Sequence, residues 1–150
     1  MNRAMKKKSV EFKLKAEKHD FVIESIKSSD QACNYARKFY FDDIAIYESM
    51  FIILLNKVCN TIGFAKISQG GIDCCIADSR IITKYAIDSL ATGVILVHNH
   101  PSGNIKPSSE DDSLTKQVFE CLRLFDIKLV DHIVITENDY YSYADEGKLK

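Results

Sequence analysis

The chain has 150 residues, 46% of them hydrophobic and 27% charged, with a formal net charge of −1. That length and balance suit one globular domain able to bury a core. They leave out a strongly basic nucleic-acid binder, whose clustered positive surface would show.

No apolar stretch approaches the roughly 20 residues of a membrane span. The basic start, Lys6-Lys7-Lys8, lacks the apolar core of a secretory signal. The five cysteines, Cys33, Cys59, Cys74, Cys75 and Cys121, form no C-x-x-C pair. They read as reduced thiols rather than a disulfide frame or zinc ligands, which predicts a cytoplasmic protein with no membrane partner. Cys121 is expected to be buried, and the adjacent Cys74 and Cys75 to point to opposite faces of a strand.

Residues 1–10 read as a flexible tail and 11–45 as an N-terminal extension. Partial alternation over 11–26 predicts one or two strands. Ser28-Ser29-Asp30 predicts the cap of a helix running to about Tyr40, with Ala32, Tyr35, Ala36 and Phe39 on one face. Residues 44–55 and 58–67 read as two strands of a hairpin around Asn56-Lys57. Gly70-Gly71 marks a loop and 72–77 a further strand. A helix is predicted from Ser79 to about Ala91, with Ile82, Tyr85, Ala86 and Leu90 inward and Arg80 and Lys84 on its solvated face.

Val94-Ile95-Leu96-Val97 is an apolar run that reads as a buried strand. His98 and His100 stand at its end two residues apart, so both rings point to one face and Asn99 to the other. Pro101, Ser102 and Gly103 then turn the chain out. Ser108 is the natural cap of the next helix, whose apolar positions Leu114, Val118, Cys121, Leu122 and Phe125 fall on one face. Residues 127–136 supply another strand, and Asn138-Asp139 turns the chain into 140–143. Tyr140, Tyr141 and Tyr143 read as edge-strand packing. There is no internal repeat, and alternating strands and helices indicate an α/β or α+β domain.

Two histidines and a carboxylate at this spacing suit a catalytic zinc site, because three protein ligands leave a fourth tetrahedral position for water. Asp111 also fits the acidic position of a capping box closed by Ser108, which is its reading without a metal. Zinc lowers the pKa of bound water to roughly 7 and polarises a carbonyl. A carboxylate must then take the water's proton and return it to the leaving amine. Glu110 and Asp112 lie near enough in sequence to compete for such roles. His132, after Asp131, reads first as a core histidine bonded by backbone, and otherwise as a group supporting the metal.

The run HNHPSGNIKPSSEDDSLTKQ resembles the signature of RadC-like proteins in the JAMM (MPN-plus) group of zinc metallopeptidases and isopeptidases. The likeness runs from about Tyr47 to Gly147 and includes Asp131-His132-Ile133-Val134-Ile135. The resemblance implies one Zn2+ held by His98, His100 and Asp111, with Ser108 helping to bind the oxyanion. It also implies an upstream Glu that activates the water and precedes a hydrophobic strand ending in a turn. Glu48, before Phe51-Ile52-Ile53-Leu54-Leu55 and Asn56-Lys57, fits that place, and its alternative is a solvated strand-end charge. The implied fold is a three-layer α-β-α arrangement with a mixed sheet, akin to cytidine deaminases, over residues 46–150. Residues 1–45 lack the glycine-bearing hairpins of a helix-hairpin-helix region, so the likeness is to the catalytic-type domain with a short extension. Ser79-Arg80 stands where the family often has Pro-Arg.

Three functions follow as expectations. The first is a zinc peptidase or isopeptidase acting on a peptide or protein. The second is a nucleic-acid-directed zinc hydrolase. Its deaminase form lacks the H-x-E and P-C-x-x-C pattern, and a nucleic-acid partner or a link to DNA repair rests only on family association. The third is a noncatalytic zinc-binding interaction module.

Overall fold

The computed structural model describes residues 9–40, 43–70 and 77–150. Nearly all of the expected tail, most of the expected strand at 72–77, and Cys74 and Cys75 lie outside the described residues.

Helix α1 (Ser29–Ala36) is capped by the Ser28 side chain, which accepts from the Gln31 amide. It tightens into a 3-10 turn over Arg37–Phe39. Strands β1 (Ser49–Leu55) and β2 (Thr61–Gln69) form the expected hairpin. The Asn56 side chain accepts from the amides of Val58 and Asn60, and Cys59 takes a positive φ of 63° to close the turn. Helix α2 (Ser79–Asp88) leads to β3 (Gly93–Asn99), and α3 (Ser109–Arg123) to β4 (Lys128–Ile135) and β5 (Tyr140–Ser142).

The five strands form one mixed sheet in the order β2-β1-β3-β4-β5. Only β3 and β4 run parallel, since α3 carries the chain across between them. Every residue of β1 and β3 is buried, because both faces of the sheet are covered. On one face α1 packs Ala32, Tyr35, Ala36 and Phe39 against Phe51, Ile53, Ile95, Val97, Ile133 and Ile135. On the other, Ile82 and Ala86 of α2 and Val118 and Leu122 of α3 cover Met50, Ile52, Leu54, Val94, Leu96 and Leu129. The architecture is therefore the three-layer α-β-α arrangement that the sequence implies.

Several local expectations are corrected. No strand forms over 11–26; that segment meets the sheet through a single bridge, Ser25 to Asn60, with no neighbouring strand to pair the rest. Helix α2 starts at Ser79 as expected, capped by Asp78, which accepts from the Arg80 amide at 2.9 Å, but it ends at Asp88 rather than about Ala91. Leu90 is 85% exposed rather than inward. The helix has already ended, and a φ of 59° at Leu90 swings its side chain out. Cys121 is only half-buried, and Phe125 is exposed because α3 has already ended at Arg123.

One irregularity positions the site. Val94 pairs with Leu129 but Ile95 pairs with Asp131, so Val130 is an extra residue in β4. Such a bulge inverts the in-out alternation of the strand beyond it. Leu129 and His132 thus both face α2 and α3, while Val130 packs on the α1 side. Gly93 leaves room for it, since a Cβ there would come within 3.0 Å of the Val130 side chain.

Candidate metal centre

Strand β3 is the middle one of five, and His98 and His100 stand at its end on the α3 side. His98 is 1% exposed. His100 follows the last strand residue, tied to the sheet by its amide donating to the Ile135 carbonyl. Their Nε2 atoms lie 3.0 Å apart. Asp111, in the first turn of α3, places Oδ1 3.2 Å from Nε2 of His98 and Oδ2 3.3 Å from Nε2 of His100. Ligands at about 2.1 Å around a tetrahedral ion stand roughly 3.4 Å apart, and these separations are close to that, so the three side chains could hold a metal ion. Glu48 completes a cluster whose four ligand atoms all lie within 4.8 Å of one another.

Asp111 serves the helix as well. Its Oδ2 accepts from the Ser108 amide at 2.8 Å, and its own amide donates to the Ser108 hydroxyl at 3.1 Å. The capping box and the metal geometry are compatible, so the two readings of this residue do not compete. Ser108 itself is exposed and stands at the helix start rather than among the four converging donors. Glu110 and Asp112 are exposed and lie outside the cluster.

The charged groups of the cluster shift one another's pKa. Burial works against the Asp111 charge, yet its contacts with the imidazoles of His100 and His98 hold its carboxyl far below the usual carboxylate range. The same contact with the Asp111 carboxylate raises the pKa of His100 against the effect of burial. Glu48, half-buried, is pushed up by burial; the imidazoles of His98 and His100 pull it down and the charge of Asp111 pushes it up.

The far nitrogens of both imidazoles are engaged. Nδ1 of His100 donates to the Asn104 carbonyl at 2.7 Å, which in the neutral ring leaves Nε2 as the lone-pair nitrogen. Nδ1 of His98 meets Nε2 of His132 at 2.7 Å. His132 is fully buried and stacks on Tyr143 with ring centres 4.8 Å apart and planes 8° from parallel. It is therefore bonded through its ring to the site, and not solely by backbone as first expected. Burial drives its pKa well below the ordinary histidine value.

Asn99 does for Glu48 what these groups do for the histidines. Its side-chain amide donates to the carbonyls of Ile44 and Tyr47 at 2.6 and 2.7 Å. Its oxygen accepts from the amide of Ser49 at 2.8 Å. Tyr47 and Ser49 bracket Glu48, so the residue between the two histidines fixes the backbone that carries the fourth member of the cluster.

Sequence reading did not single out Thr115, or Tyr143 as a ring support. Thr115 lies four residues after Asp111, hence on the same helix face. A small polar residue buried beside that apolar stripe was the available signal.

The model of the RadC-like JAB domain family matches residues 26–148. A UPF0758 protein of Flavobacterium johnsoniae is 42% identical over 101 residues, 67% of this chain and 44% of that protein. One from Porphyromonas gingivalis is 41% identical over 103 residues, 68% of this chain and 45% of that protein. One from Streptococcus sanguinis is 38% identical over 99 residues, 66% of this chain and 44% of that protein. The chain thus spans less than half the length of these relatives. A family match over most of the chain, on a mixed sheet that ends in the H-x-H pair, shows that the chain belongs to the RadC-like JAB domain family.

Proposed function

We propose that this domain is a zinc-dependent hydrolase that cleaves an amide bond in a peptide or protein, as a peptidase or isopeptidase. The observation that carries this reading is the convergence of Glu48, His98, His100 and Asp111 on one point, three of them spaced as ligands of one ion. Nitrogen, nitrogen and carboxylate donors suit zinc. When bound, zinc supplies a Lewis acid that brings the pKa of water to about 7.

In this reading the chain's residues divide the remaining work. His98, His100 and Asp111 hold the ion. Glu48 takes the water's proton and delivers it to the leaving nitrogen, a role that its half-buried position and upward-pushed pKa support. Ser108 uses an oxygen lone pair to cap α3, and its hydroxyl, which also meets the Glu110 carboxylate, would turn its proton to an oxyanion. The unbridged cysteines Cys33, Cys59 and Cys121 support a cytoplasmic setting. Among the described residues no helix is long and apolar enough to cross a membrane.

Elemental analysis of untagged protein, beside Asp111→Ala, tests the reading. The expected result is about one zinc per chain, lost in the variant. Folded protein that contains no zinc, and takes none up on dialysis against it, would overturn it.

A further inference from the structure

Behind His98 lies a chain of three short hydrogen bonds with a definite direction. Thr115 Oγ1 is 2.6 Å from the carbonyl oxygen of Asp111. A carbonyl has no proton to give, so at that distance the hydroxyl spends its one proton there. Thr115 Oγ1 is also 2.6 Å from Nδ1 of His132, and it meets that nitrogen with a lone pair. The Nδ1 of His132 must therefore bring the proton. Neither ring nitrogen of His132 touches a carboxylate, and the ring is wholly buried, so it is neutral and its second nitrogen is an acceptor. That acceptor, Nε2, lies 2.7 Å from Nδ1 of His98. His98 then carries its proton on Nδ1, and its Nε2 lone pair faces Asp111 and His100.

We propose that Thr115 and His132 are positioning residues that fix the tautomer of His98 and so preset its Nε2 to receive the metal. The inference rests on the metal reading above and deepens it. The elements explain why the relay is rigid. Thr115 is held by α3, one turn beyond Asp111. His132 is aimed by the Val130 bulge, and its amide donates to Asp131 Oδ1 at 2.7 Å. Tyr143 lies flat on the His132 ring, with its hydroxyl donating to Asp112 Oδ1 at 2.7 Å. The ring can neither tilt nor flip without breaking these contacts. Groups of this kind, one bond removed from a metal, typically govern affinity by about 10–100-fold.

The test uses the full chain. Long-range 1H–15N spectra of metal-free, 15N-labelled protein at about pH 9, where imidazoles are neutral, read the tautomer of each histidine directly. The expected result is a proton on Nδ1 in both His98 and His132. A proton on Nε2 of His132 in the unmodified protein overturns the relay, whatever the variants do. Thr115→Val, matched in shape but without the hydroxyl, is expected to mix the His98 tautomers. It should also weaken zinc binding about 10–100-fold in chelator competition, with Thr115→Ser restoring both. A folded Thr115→Val protein with unchanged tautomers and unchanged zinc affinity overturns the proposal. Failure of folded, unmodified protein to bind zinc overturns the metal reading instead, and the spectra still decide the relay.

Discussion

Ser108 and Asp111 hold each other reciprocally, the amide of each donating to the side chain of the other at 2.8 and 3.1 Å. The same carboxylate faces both histidines. Asp111→Asn keeps an acceptor for the Ser108 amide, whereas Asp111→Ala removes it. Both variants are expected to lose zinc. In metal-free protein, urea unfolding should find the Ala variant about 1 kcal/mol less stable than the Asn variant. Equal stabilities would show that the cap does not support the helix.

Glu48→Gln keeps the size of the side chain and removes the base. Zinc content should be unchanged, while hydrolysis of an amide substrate falls about 10²–10⁴-fold. The pH profile carries a second expectation. The base must be ionised, and burial moves its pKa upward. Activity should therefore fade on acidification at a pH above the ordinary carboxylate range. A profile flat through that range would argue against Glu48 as the base.

Asn99 anchors the segment around Glu48 without reaching the metal point. Asn99→Ala leaves the buried Ser49 amide without an acceptor, a loss of about 1–3 kcal/mol in denaturant unfolding. Zinc content should persist and turnover should fall, because the base is no longer held. Full turnover in a folded Asn99→Ala protein would show that Glu48 needs no such anchor.

Asp78 offers a prediction away from the site. Hydrogen bonds from the Arg80 side chain and amide hold its carboxyl at about 2. A depressed folded pKa adds stability that is present above the unfolded value, near about 3.9, and is lost as pH falls through the folded one. Asp78→Ala should therefore lower Tm at neutral pH, and the difference should shrink towards pH 2. The pair is exposed, so the effect should be small and weakened by salt. A Tm difference that does not change with pH, followed by calorimetry, would show that the charge plays no part.

The parts of this molecule that were legible in sequence are those set by neighbours along the chain. The spacing of His98 and His100 places them on one face because strand alternation is local. The Ser108 and Asp111 box and the Asn56 turn are local as well. What escaped depends on partners far along the chain or on breaks in periodicity. The sequence puts His132 first in the core and only second beside the metal point, because its partner, His98, lies 34 residues away and the extra Val130 inverts the alternation that would place it. The helical period, carried past Asp88, puts Leu90 inward, where the chain has already left the helix. Asn99 could be seen to face away from the histidines. Which loop it would hold, about 50 residues earlier, could not be read from its surroundings.

The bulge at Val130 also decides what kind of neighbour the ligand has. Asp131 and His132 are adjacent, and the same sequence paired from Leu129 without the bulge would turn the carboxylate to the α3 face and the imidazole away. As built, Asp131 is spent on the Ser142 hydroxyl and the amides of His132 and Ala144, on the opposite side of the sheet. An anion behind a ligating imidazole makes that ligand more basic and donates charge towards the ion. A neutral ring does not. With Asp111 as the sole anionic ligand, a divalent ion held here would keep a net charge of about +1, undiluted from behind. The bulge in β4 would thus set the electron demand of an ion that it never touches.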